Sequence, residues 1–202
     1  MKGLVWKDIY TLLKQVKFIL LLMVLFACLP GYSMSAFAIF YGAMLPITAL
    51  AYDERSKWDE LAAMMPYSVK EIVGSKYVLG LLLVGGISAL SIAARIVIGI
   101  IKATPFDAEG IISILILACL SLVLLMVDLP LMFRLGVEKG RIIYILLTCV
   151  GVVAGVSYID QLMAVLDSMM VSTMLLIVLL VTAVGLGVSY CISARIYRVR
   201  RG

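Results

Sequence analysis

The chain is expected to fold as an all-α membrane protein with six transmembrane helices, and three features of the sequence carry that expectation. Hydrophobic residues make up 64% of its 202 positions and charged residues 14%, against roughly 45–50% and about 25% in globular domains. The mean hydropathy of +1.18 is spread along the chain in six apolar runs instead of one anchor. Each run approaches the roughly 20 residues that a helix needs to cross the hydrocarbon core. Finally, the lysines and arginines gather in alternate segments between those runs, as the inside loops of a multi-span protein require.

Residues 1–17 form the first element, an amphipathic helix lying flat on the inner membrane surface. Val5, Ile9, Leu12, Leu13 and Val16 recur at helical spacing, Lys7, Asp8, Thr11, Lys14 and Gln15 take the opposite face, and Trp6 and Tyr10 sit at headgroup level. The alternative is an extension of span one that snorkels its lysines. Span one, residues 16–30, is short, with a charge-free core from Phe18 to Leu29. Lysines before such a core, followed by Ala36-Phe37-Ala38, have the form of a secretory signal peptide. Cleavage sites lie in polar chain, however, and this triplet lies inside the next apolar run, so the segment is expected to remain as a span.

Span two covers residues 33–52, with Pro46 as a kink position. Residues 53–76 are the longest polar stretch. A helix is expected from Glu54 to Met65, with Trp58, Leu61, Ala62 and Met65 on one face and Glu54 at its positive N-terminal end. Pro66 stops it, and Ser68 with Glu71 makes a capping box that starts the helix of span three. Such an apolar-faced helix either meets a partner or settles into the headgroups.

Span three covers residues 77–101, with Gly85 and Gly86 as packing positions, and span four residues 111–135. Span five, 142–158, contains the GxxxG pair Gly151 and Gly155, which permits close helix approach within one bundle or between subunits. Residues 159–169 suggest a short helix dipping into the outer leaflet, and span six is 170–194. The remaining outer loops are a few residues long, and no extracellular domain is expected.

Orientation follows from the charges. Lys2, Lys7, Lys14 and Lys17 precede span one, and Arg55, Lys57, Lys70 and Lys76 separate spans two and three. Arg134, Lys139 and Arg141 lie between spans four and five, and Arg195, Arg198, Arg200 and Arg201 follow span six. Lys102 alone falls on the other side, which places both termini in the cytoplasm.

Little in the sequence supports catalysis. Histidine is absent, which removes the usual nucleophile and base pairs and histidine metal sites. Cys28, Cys119, Cys149 and Cys191 lie in apolar runs without CxxC spacing, so neither a metal site nor a disulfide is indicated. No P-loop occurs, since Gly74-Ser75-Lys76 lacks the spacing and order. The two charges within spans are Arg95 and Asp128. They lie near opposite membrane faces and are not expected to pair: Arg95 can snorkel outward, and Asp128 can be solvated from the inner side.

The segment from Asp53 to Lys76 resembles the loop after the second span in type-2 permeases of ATP-binding-cassette (ABC) exporters. The residues that carry the resemblance are Glu54, Leu61, Pro66, Ser68, Glu71, Ile72 and Lys76, and the likeness extends to the span plan of the whole chain. It implies a coupling helix, drawing on Asp53, Glu54, Trp58, Leu61, Met65 and Pro66, that docks into a separate ATPase subunit. ATP and magnesium would be held by that ATPase, and no cofactor, metal or nucleic acid by this chain. Two permease subunits, identical or not, would form the route in a bacterial cytoplasmic membrane, with Gly151 and Gly155 as candidates for their contact. The small size looks most like the membrane subunits of exporters of cytolytic peptides of the phenol-soluble modulin type. Export of hydrophobic drugs or lipids, a membrane immunity protein and a passive channel are the alternatives.

Overall fold

In the computed structural model the described residues are 1–29, 31–102, 108–157 and 171–201. They form eight helices and no strand: α1 (Lys2–Gln15), α2 (Lys17–Cys28), α3 (Tyr32–Arg55), α4 (Trp58–Met64), α5 (Val69–Lys102), α6 (Ala108–Leu135), α7 (Val137–Ser157) and α8 (Val171–Arg201). Four stretches are long and apolar enough to cross a membrane: Ser33–Arg55, Val69–Ile101, Gly110–Leu135 and Leu175–Val199. They match expected spans two, three, four and six. The stretch expected as span one is bent, with α2 turning 91° from α1 at Val16, and the pair counts as a fifth candidate if taken together. Span five falls in α7, whose side chains from Val150 onward, Gly151 and Gly155 included, lie outside the described residues. The helix expected over residues 159–169 lies outside them altogether.

The right-angled bend rules out the reading of α1 as a straight extension of span one. It also corrects the face assignment. Asp8 is buried with Leu4 and Leu12, whereas Trp6, Tyr10 and Leu13 are exposed. Of the polar side, Lys7 and Asp8 turn toward the bundle, where α3 and α5 supply charged partners, while Lys14 and Gln15 stay exposed and Trp6 and Tyr10 point outward.

α3 is the centre of the fold, packed by α2, α5 and α6. Its Ile39 and Ala43 join Val73 and Tyr77 of α5, Leu125 and Leu129 of α6 and Tyr197 of α8 in one apolar core. A second core holds Leu12, Val16 and Met23 against Leu45, Ala49 and Leu79. The close approach of α5 to α6 and α3 depends on Gly80, where a Cβ would collide with Leu125 and lie 3.3 Å from Pro46. By contrast Gly85 and Gly86, expected as packing positions, have nothing within 4 Å of a Cβ. They face away from the core of the described residues, and no described helix requires their small size.

Hydroxyl groups in the apolar helices mostly close on their own backbone. Ser88 donates to the Gly85 carbonyl at 3.0 Å, Ser121 to Ala118 at 2.8 Å and Thr182 to Val178 at 2.6 Å. The buried Ser91 hydroxyl has no partner among the described residues, and one further exception ties three helices together. Pro130 has no N–H to offer the carbonyl four residues before it, and that carbonyl, of Met126, accepts the Ser189 hydroxyl of α8 at 2.6 Å. The Tyr77 hydroxyl in turn lies 2.6 Å from Ser189 Oγ and 2.8 Å from Ser193 Oγ.

The segments bearing the basic residues converge on one end of the bundle. Lys7 reaches Asp53, Glu54 reaches Val137, and Phe133 stacks edge-on against Tyr197 with centroids 5.6 Å apart.

Candidate functional site: a short helix braced at the basic end

α3 runs on through Arg55, three residues beyond the apolar run, and then breaks. Lys57 adopts a left-handed conformation (φ 53°, ψ 37°), the only positive φ on a described residue other than glycine, and α4 starts at Trp58. The short helix therefore begins four residues later than its periodicity suggests. It ends as expected: Met65, ahead of Pro66, is extended at φ −100°, ψ 152°, as the proline ring demands of its predecessor. The capping box then forms, with the Ser68 N–H donating to Glu71 Oε2 at 3.1 Å and the Glu71 N–H to Ser68 Oγ at 3.3 Å. The Ser68 backbone N–H above all, then the Met1 ammonium 3.3 Å from Oε1 and the Ser68 hydroxyl, hold the exposed Glu71 carboxyl below its ordinary value in the solvated turn ahead of the apolar run.

The apolar side of α4 divides into two. Ala62 is fully buried and Trp58 packs partly against the core. Leu61, Met64 and Met65 instead stand 49%, 84% and 39% exposed. An apolar patch on a seven-residue helix would be loose if nothing held the helix beneath it.

The brace is a buried ion cluster. Lys76, only 2% exposed, donates to Asp8 at 2.8 Å and to Asp53 at 2.5 Å. Lys7 donates to Asp53 at 2.6 Å, approaches Asp8 to 3.1 Å, and lies 4.1 Å from the centre of the Trp58 ring. Two cations and two carboxylates thus join α1, α3 and α5, and the cation–π contact carries the linkage to α4. Burying these charges is expensive, and their mutual pairing offsets the cost only while all four are present.

The residues expected at a docking element are accordingly split by the fold. Asp53 is inside the ion cluster, and Trp58 lies over Lys7. Glu54, in the last turn of α3, accepts the Val137 N–H at 2.8 Å and so caps α7 instead of α4. Gly136 precedes that cap with φ +79°, and a Cβ there would stand 2.9 Å from Glu54 Oε1. Pro66 is exposed. Leu61 and Met65 remain on the surface, joined by Met64, which the periodicity did not single out. Asp8 was missed as a partner of Lys76, and Lys7 as a partner of Asp53. A signal existed, since Asp8 is the only acidic residue before Asp53 and an isolated acid in an apolar neighbourhood needs a cation.

Asp128 departs from its expected state. Instead of being solvated, it is 1% exposed, and neither carboxyl oxygen has a hydrogen-bond partner among the described residues. Its helix face is covered by neighbouring spans, which a count of residues to the end of the helix cannot reveal. The cysteines form no disulfide, and no group of acids and cysteines is arranged to hold a metal among the described residues.

Residues 3–198 match the family model described as ABC-2 family transporter protein. No curated protein and no solved structure matches the chain.

Proposed function

Since the chain belongs to the ABC-2 transporter family and is thus a permease subunit of an ABC transporter, we propose that it couples through α4 to a separate ATPase subunit and exports amphipathic peptides. The observation that carries this reading is the exposed trio Leu61, Met64 and Met65 on and just after α4, a helix tied through Trp58 to a cluster of four charges, three of them buried. An element that receives force from a partner must be rigidly joined to the spans it moves. The ion cluster supplies that joint to α1, α3 and α5.

In this reading the ATPase binds and hydrolyses magnesium-ATP, and this chain holds no cofactor. Six spans cross a bacterial cytoplasmic membrane with both termini inside, and α1 lies along the inner surface with Trp6 and Tyr10 at the headgroups. A second permease subunit completes the route, with Gly151 and Gly155 in the contact.

The peptide cargo is supported by what the spans offer. A path for ions or sugars requires polar lining, whereas the hydroxyls of Ser88, Ser121 and Thr182 are each spent on their own helix. An amphipathic peptide entering from the inner leaflet needs no such lining, and the chain's 12 methionines suit an adaptable apolar surface. In liposomes holding the permease and its ATPase, amphipathic helical peptides should stimulate ATP hydrolysis and accumulate across the bilayer. Stimulation by a hydrophobic drug or a lipid but not by peptides would overturn the cargo assignment.

A further inference from the structure

At the basic end, the last turn of α3 and the α6–α7 turn enclose a cleft of about 650 Å³ lined by Glu54, Arg55, Gly136, Glu138, Lys139 and Arg141, among others. We propose that this cleft binds the phosphate headgroup of an anionic phospholipid.

Charge is the first support. Arg55, Lys139 and Arg141 are exposed, and none of them makes an ion pair or side-chain hydrogen bond with another described residue. Of the two acids in the wall, Glu54 is committed to the Val137 N–H. Its second oxygen and Glu138 leave two carboxylates against three cations, so the cleft keeps a net positive charge. A guanidinium presents paired donors that match phosphate oxygens, and a lysine adds a point charge. The volume lies within the roughly 300–1,000 Å³ of ordinary small-ligand sites.

Position is the second, and it distinguishes a lipid from a soluble anion. The apolar run of α7 starts directly after Arg141. Ile142 and Leu146 lie three and seven residues beyond Lys139, and Ile145 lies four beyond Arg141, so cation and apolar side chain share a helix face. All three apolar residues are exposed. A headgroup seated among the cations would lay its acyl chains along this face. An acidic segment of a protein partner would use the cations and leave Ile142, Ile145 and Leu146 uncovered.

Native mass spectrometry of the full chain in detergent tests this, with phosphatidylglycerol, phosphatidylcholine and glycerol phosphate as probes. The chain should retain phosphatidylglycerol over phosphatidylcholine, and glycerol phosphate should not compete at equal concentration. Replacing Arg55, Lys139 and Arg141 together by glutamine should remove that preference, at about fivefold per cation. The control variant, Lys2→Gln with Lys14→Gln and Lys17→Gln, removes equal charge from exposed positions elsewhere and should keep the preference. Arg141→Gln alone should give a partial loss, which guards against misfolding of the triple variant. Equal loss in the control, retention in the triple variant, or full competition by glycerol phosphate would each overturn the lipid site. The assay contains no ATPase, so its failure would leave the transport reading untouched.

Discussion

Lys76 is the residue on which the basic end depends, because it is the fully buried cation between Asp8 and Asp53. Lys76→Met would leave two buried carboxylates with Lys7 as their only cation, at a cost of roughly 3–5 kcal/mol. Thermal unfolding of the detergent-solubilised chain should show a large fall in midpoint, and adding Asp8→Asn should recover part of it. Asp128 should behave oppositely. An unpartnered buried carboxyl costs stability that an apolar side chain of similar size does not, so Asp128→Leu should raise the midpoint in the same measurement. Neither environment follows from local sequence, although the isolation of Asp8 ahead of Asp53 hinted at a distant cation. Asp8 read as a solvated residue on a polar helix face because its partner Lys76 lies 68 positions away, and only the packing of α1 across α3 and α5 brings them together. Asp128 read as reachable from water because Pro130 and Arg134 follow it, whereas burial is set by helices that local sequence does not specify.

Among the elements, those built on local rules were the legible ones. The long apolar helices follow from run length, the end of α4 from Pro66, and the start of α5 from Ser68 and Glu71. The break between α3 and α4 was hidden because Lys57, with no glycine or asparagine to announce it, takes the left-handed turn. The role of Glu54 was hidden for a similar reason: its target, the Val137 N–H, belongs to a helix 83 positions away. That contact makes the α6–α7 turn a sensitive point. Gly136→Ala would force an alanine into φ +79° and drive its Cβ against Glu54. A loss of about 1–2 kcal/mol from the backbone alone is expected, read as a lower unfolding midpoint. An unchanged midpoint would mean that the turn can relax without the cap.

At the scale of the whole molecule, charge distribution and fold agree: the segments rich in lysine and arginine are the ones that contact each other at one end of the bundle. The proposed orientation predicts that, in a cysteine-free background, a cysteine at Glu109 reacts with an impermeant thiol reagent on intact cells and one at Lys139 does not. Coupling itself rests on α4. In the proposed coupling its exposed apolar trio is the surface offered to the ATPase, and the ion cluster keeps that surface firm. The most direct test is the Kd between the purified permease and its ATPase subunit, for the native chain and for Leu61→Glu with Met64→Glu. These side chains touch little of the chain's own core, so the variant should fold normally. Losing one buried anchor weakens an interface by about 2 kcal/mol, or roughly 30-fold in Kd. At least that loss is expected in the double variant, with an unfolding midpoint equal to that of the native chain. An unchanged Kd would contradict it and return α4 to the membrane surface as a helix resting in the headgroups.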